Sequence, residues 1–170
     1  MGVGRTFQVA QAFASFTVAE NVQLALLSHH GRLLALLPRA SELYREDALR
    51  LLGQVGMAEQ ADRACGLLAY GDLKRLELAM ALVHGPRLLL MDEPTAGMAP
   101  GERHQVMDLV AEFAARDGIA VLFTEHDMDI VFGHARRVLV MSRGRLIAQG
   151  DPATVRADRE VQAVYLGEPA

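Results

Sequence analysis

Arg87-Leu88-Leu89-Leu90-Met91-Asp92-Glu93-Pro94 sets an apolar run against two adjacent carboxylates and closes on a proline. A short apolar run bounded by breakers suits a strand buried on both faces of a parallel sheet. Ligands of such sheets bind beyond the carboxyl ends of the strands, where Asp92 and Glu93 emerge. Successive strand residues point to opposite sides, so the two acids can take different tasks. One can hold Mg2+ while the next polarises an attacking water, as hydrolysis of a nucleoside triphosphate requires. Taken alone, the pair reads equally well as a strand end capped by solvated acids. The surrounding sequence decides between the two.

Working outward, residues 18–27 carry helical spacing, with Thr17 and Glu20 resembling a capping box. Residues 41–55 form an amphipathic pattern that Gly56 closes in the left-handed position. A helix is expected over residues 73–83, ahead of Gly85-Pro86, and the buried strand follows at residues 88–92. Pro100 and Gly101 open a helix to about Arg116, and Asp117-Gly118 turns the chain. Residues 119–124 read as a second buried strand, residues 128–134 as a short helix and residues 138–142 as a third strand. Arg143-Gly144-Arg145 looks like a hairpin turn into residues 146–149. The tail, residues 151–166, reads as helical and surface-lying. Strands alternating with helices indicate an α/β fold with a mostly parallel sheet.

The 170 residues fit one domain, and 51% hydrophobic with 22% charged residues are ordinary globular values. A net charge of −4 gives no support for nucleic-acid binding through bulk electrostatics. Cys65 is the only cysteine, so no internal disulfide can form, which fits a reducing compartment. MGVGRTFQ has no apolar signal-peptide core, and no apolar run reaches the length of a membrane span.

Short motifs follow one another in a telling order: Arg5-Thr6-Phe7-Gln8, Leu68-Ala69-Tyr70-Gly71-Asp72, the Asp92-Glu93 strand, Thr95-Ala96-Gly97-Met98-Ala99 and Thr124-Glu125-His126-Asp127. Each is weak alone. In this order and spacing they resemble the Q-loop, signature, Walker B, D-loop and H-loop of the nucleotide-binding subunit of an ABC transporter. Arg-Thr-Phe-Gln, Leu-Ala-Tyr-Gly, Glu-His-Asp-Met and Tyr165-Leu166-Gly167 narrow the resemblance to the ATPase subunits of branched-chain amino-acid importers. Urea and short-chain amide importers use closely related subunits. ATPases of DNA repair and chromosome organisation share the motifs but insert long coiled coils before the signature. Only about sixty residues separate Gln8 from Leu68 here, without sustained heptads.

The resemblance implies a P-loop NTPase-like ABC ATPase core plus a helical subdomain. Its parts would be a helical and signature region over about 18–85, a Walker B to H-loop core over 86–150 and a C-terminal tail over 151–170. It implies ATP and Mg2+ as ligands and a second ABC ATPase subunit as partner, in a homo- or heterodimer. Membrane permease subunits and, indirectly, a periplasmic substrate-binding protein would complete the assembly. The place implied is peripheral, on the cytoplasmic face of the bacterial inner membrane.

The same resemblance assigns Asp92 to Mg2+, through water, and Glu93 to the base that polarises the attacking water. His126 would donate to the γ-phosphate. Gln8 would ligate Mg2+ or the attacking water and touch the membrane subunit. Leu68, Ala69, Tyr70, Gly71 and Asp72 would reach across the dimer to the γ-phosphate held by the opposite subunit. Ala69 stands where the family usually has serine, Asp72 where it has glutamine and Ala99 where aspartate is common. Bland alternatives remain: a polar loop residue for Gln8, an ordinary helix start for Gly71, a surface or capping histidine for His126. Lys74, Arg75, Arg87, Glu125 and Asp127 read as solvated charges, and Met91 and Met98 as core filler. No histidine or cysteine spacing supports zinc.

No G-x-x-x-x-G-K-[ST] loop occurs in the sequence, and Gly2-Val3-Gly4 lacks the lysine and hydroxyl such a loop needs. The expectation is a C-terminal portion of a nucleotide-binding domain that neither binds ATP tightly nor hydrolyses it alone. A truncated, non-hydrolytic partner subunit offering its signature segment, or a non-functional fragment, are the alternatives.

Overall fold

In the computed structural model, residues 2–6, 12–32 and 42–166 are described; Gln8 lies outside them. The chain divides into two units, Met1–Thr124 and Glu125–Ala170, each taken by itself below.

The first unit is built on a parallel sheet of β1 (Val3–Arg5), β2 (Leu88–Asp92) and β3 (Ala120–Thr124), in that order. The register pairs Gly4 with Leu89 and Asp92 with Thr124. Around it lie α1 (Val18–His29), α2 (Arg45–Gln54), α3 (Tyr70–Leu82) and α4 (Pro100–Asp117), with short 3-10 turns at Ala58–Gln60 and Cys65–Leu67. Their apolar faces share one core, in which Val22, Leu52, Met57, Leu76, Leu78 and Leu89 are fully enclosed. Cys65 sits in it as a small hydrophobe, and burial pushes its thiol up from the ordinary value.

Local signals account for the helix ends. The Thr17 hydroxyl accepts from the Glu20 N–H at 3.2 Å, while the Thr17 N–H donates to Glu20 Oε2 at 2.8 Å, a closed capping box on α1. Pro100 opens α4, and Gly118 at φ 65° ends it.

Several expectations need correction. β1 was not anticipated, because three residues carry too little pattern to announce a strand. α3 begins at Tyr70, three residues before Leu73, so Gly71 lies in its first turn. β3 is not buried on both faces: Val121 and Phe123 pack on the core, whereas Leu122 is 57% exposed. Among the described residues β3 pairs only with β2, and an edge strand covered on one face shows this alternation. Lys74 is not a solvated charge but is buried within α3.

The second unit holds α5 (Met128–His134) and an antiparallel hairpin of β4 (Val138–Ser142) and β5 (Arg145–Gly150). Arg143 (φ 49°) and Gly144 (φ 77°) form the two-residue turn. Two short helices follow, α6 (Pro152–Arg156) and α7 (Arg159–Val161), capped by Asp151 and Asp158. The tail is therefore not merely surface-lying: Val155 and Val161 are buried with Val138 and Val140 of the hairpin. The Tyr165 hydroxyl ties the tail to the Met141 carbonyl. Among the described residues no helix is long and apolar enough to cross a membrane.

Candidate active site

β2 carries its buried residues, Leu89 and Met91, on one face and delivers Asp92 to solvent at its carboxyl end. The chain must then leave the sheet at once. Glu93 does so at φ 45°, a left-handed conformation that costs a residue with a Cβ about 1–3 kcal/mol. Such strain persists where surrounding bonds over-determine it. Here the Glu93 N–H donates to the Thr124 carbonyl at 3.1 Å and faces the Thr124 hydroxyl oxygen at 3.3 Å. That hydroxyl donates onward to Asp92 Oδ1 at 2.7 Å. Beyond the acids, Pro94 and Thr95 are buried, and the Ala96 N–H closes a turn on the Glu93 carbonyl.

The residues expected to form the signature sit at the start of α3. Ala69 is the N-cap and offers no side-chain oxygen, so the helix presents first-turn N–H groups at its positive end. Gly71 is buried, and a Cβ there would come within 3.2 Å of Glu102 Oε2 and 3.4 Å of Met98 Cε. Asp72 accepts from Gln60 Nε2 at 3.2 Å. Leu68 is half-buried, and Tyr70 is 40% exposed. Gly97, in the loop after the acids, has φ 77°, and its Cβ position lies 3.4 Å from Tyr70 Cε1. Within the first unit, then, the loop that follows the acid pair abuts the start of α3.

His126 belongs to the second unit, where it is exposed and its N–H donates to Glu125 Oε2 at 3.2 Å. Asp127 caps α5, accepting from Asp129 N–H at 3.1 Å and Ile130 N–H at 3.4 Å. It therefore does more than remain solvated.

Thr124 is the site residue to which sequence reasoning gave no role. The signal available was its position: a hydroxyl residue ending the strand next to the one that ends in Asp92. The donor set also bears on a cation. Asp92 and Glu93 bring hard carboxylate oxygens. This fits Mg2+, which takes one or two carboxylates and draws its other ligands from water and phosphate.

Residues 1–96 match the family model described as "ABC transporter", and residues 145–170 match that of the branched-chain amino acid ATP-binding cassette transporter. The chain belongs to the ATP-binding domains of ABC transporters. Among relatives, it is 37% identical to the high-affinity branched-chain amino acid transport ATP-binding protein LivG of Escherichia coli, over 99% of this chain and 69% of that protein. It is 35% identical to BraF of Pseudomonas aeruginosa, described in the same words, over 98% of this chain and 68% of that protein. Among solved structures, the ADP conformation of an ATP-binding cassette of an ABC transporter superposes with a TM-score of 0.80 at 33% identity, covering 98% of this chain and 69% of that one. The cbiO1 subunit of the Clostridium perfringens transporter complex cbiONQ gives 0.76 at 31% identity, covering 98% and 65%.

Proposed function

We propose that this chain forms part of the ATP-hydrolysing subunit of an importer for branched-chain amino acids. The observation that carries the substrate class is the match of residues 145–170 to the branched-chain amino acid model, and the LivG and BraF likeness supports it. The chemistry rests on the acid pair at the carboxyl end of β2.

Asp92 holds Mg2+ in this reading, with Gln8 as a second ligand. When bound, the ion neutralises charge on the phosphate oxygens. Glu93 accepts the proton of the attacking water, its backbone held in place by Thr124. His126 donates a hydrogen bond to the γ-phosphate. Residues 68–72 offer the amino end of α3 to a phosphate on the facing subunit of a dimer, and backbone N–H groups carry that contact because Ala69 has no hydroxyl. Permease subunits in the membrane convert closure of the dimer into transport.

The 170 residues contain no phosphate loop, so alone they turn over no ATP. A chain that includes such a loop does, and Glu93→Gln abolishes its turnover while nucleotide still binds. Hydrolysis at an unchanged rate in Glu93→Gln removes the assignment of the base. Radiolabelled leucine uptake into cells that lack their own importer ATPase, restored only when this sequence is supplied within a complete subunit, tests the substrate class. Restored urea uptake without leucine uptake overturns it.

A further inference from the structure

We propose that Thr124 is the positioning residue of the acid pair, setting the side-chain rotamer of Asp92 and the backbone of Glu93 through one hydroxyl and one carbonyl. The inference rests on the assignment of Asp92 to the cation made above. A threonine ending a strand needs no function, since β-branched residues suit strands. What exceeds propensity is the convergence of contacts. The β2–β3 register sets Thr124 opposite Asp92. From there its hydroxyl proton goes to Asp92 Oδ1 at 2.7 Å, while its carbonyl accepts the Glu93 N–H at 3.1 Å. The hydroxyl oxygen also lies 3.3 Å from that N–H. A hydroxyl has one proton to give and lone pairs to receive. Donation to Asp92 therefore leaves an acceptor turned to Glu93, and the three groups polarise in one direction.

Two consequences follow. One Asp92 oxygen is committed to Thr124, so the side chain is held in one rotamer about its Cα–Cβ bond instead of averaging over several. Glu93 is also kept in its left-handed conformation by a residue outside its own turn. Partners that orient a metal-binding carboxylate from behind change metal affinity by about 10- to 100-fold when removed.

The test compares Thr124→Val, which keeps shape and strand preference but loses the hydroxyl, with Thr124→Ser, which restores it. Side-chain three-bond couplings of Asp92 in the 170-residue chain should report one rotamer in the parent and in Thr124→Ser, and averaging in Thr124→Val. Mn2+, a paramagnetic substitute for Mg2+, should broaden the Asp92 and Glu93 signals in the parent. About 10-fold more Mn2+ should be needed in Thr124→Val, with Thr124→Ser close to the parent. Averaged couplings in the parent, or the same couplings in all three proteins, overturn the proposal. Distinct couplings with no Mn2+ broadening in any of them uphold the positioning and remove Asp92 from the cation site, which separates this inference from the functional reading. A Thr124→Val chain that fails to fold is replaced by Thr124→Ala with the same readouts.

Discussion

Lys74 and Glu77 form an ion pair at 3.0 Å, one turn apart on α3, with only 4% and 5% of their side chains exposed. Lys74 Nζ also lies 5.6 Å from the centre of the Tyr70 ring, so the pair is linked to the first turn of α3. A buried pair adds little net stability, because desolvation offsets the attraction, but removing one charge leaves the other less compensated.

Glu77→Gln or Lys74→Met should therefore each lower the unfolding free energy by about 1–3 kcal/mol. The double change Lys74→Met with Glu77→Leu should recover much of the loss. Urea unfolding followed by circular dichroism measures it. Single and double variants with the same midpoint as the parent would show that the pair is energetically idle.

Glu93 occupies a conformation that glycine adopts without cost. Glu93→Gly should raise stability by up to about 1 kcal/mol while removing the proposed base. A lower urea midpoint in this variant would mean that the Glu93 side chain stabilises the site more than its backbone strains it.

Gly4 tests the sheet. A Cβ there would lie 2.9 Å from the Ala81 carbonyl oxygen, 3.2 Å from Pro86 Cγ and 3.3 Å from Leu89 Cδ1, and a helix carbonyl cannot yield as a flexible side chain can. Gly4→Ala should cost about 1–3 kcal/mol. Gly53→Ala, in α2 with nothing within 4 Å, should instead gain up to about 1 kcal/mol. Thermal melts of the two variants should move in opposite directions; movement in the same direction contradicts the packing described for β1.

His84 carries a pH dependence. Partial desolvation first, and then neighbouring His29, hold the imidazole of this exposed residue below the ordinary 6.5. The two Nδ1 atoms are 2.7 Å apart, so one ring must accept and stay neutral. In the window between the lowered folded value and 6.5 the unfolded chain binds more protons, so stability rises with pH there. The contribution is complete above the window and is lost as pH falls through it. Melting temperature against pH should show a smaller drop below 6.5 in His84→Asn than in the parent. Superimposable profiles would show that the pair does not report on folding.

The sequence made legible those features that repeat or punctuate. β2, α5 and β4 have the bounds expected of them, since prolines flank β2, Asp127 caps α5 and Arg143-Gly144 ends β4, and α1 starts at its capping box. The motif order also led to the ABC family. The remainder depended on tertiary packing that no local pattern encodes. β1 is three residues long and is a strand only because Leu88 to Leu90 lie beside it. Lys74 looked solvated because charge is the surface default, whereas its helix is enclosed nearly all round. Val155 and Val161 looked exposed in a polar tail until the hairpin gave them something to cover. Thr124 carries no local signal of its role, since its partners stand about thirty residues away in sequence.

Gly97 illustrates how geometry can masquerade as chemistry. Its φ of 77° disfavours any side chain, and a Cβ there would sit in contact with the Tyr70 ring, 3.4 Å from Cε1. Nearly every replacement would strain the loop leaving Glu93, which packs against the opening of α3. In a saturation screen scored by growth, position 97 would rank with the acids themselves, though it holds no proton, ion or phosphate.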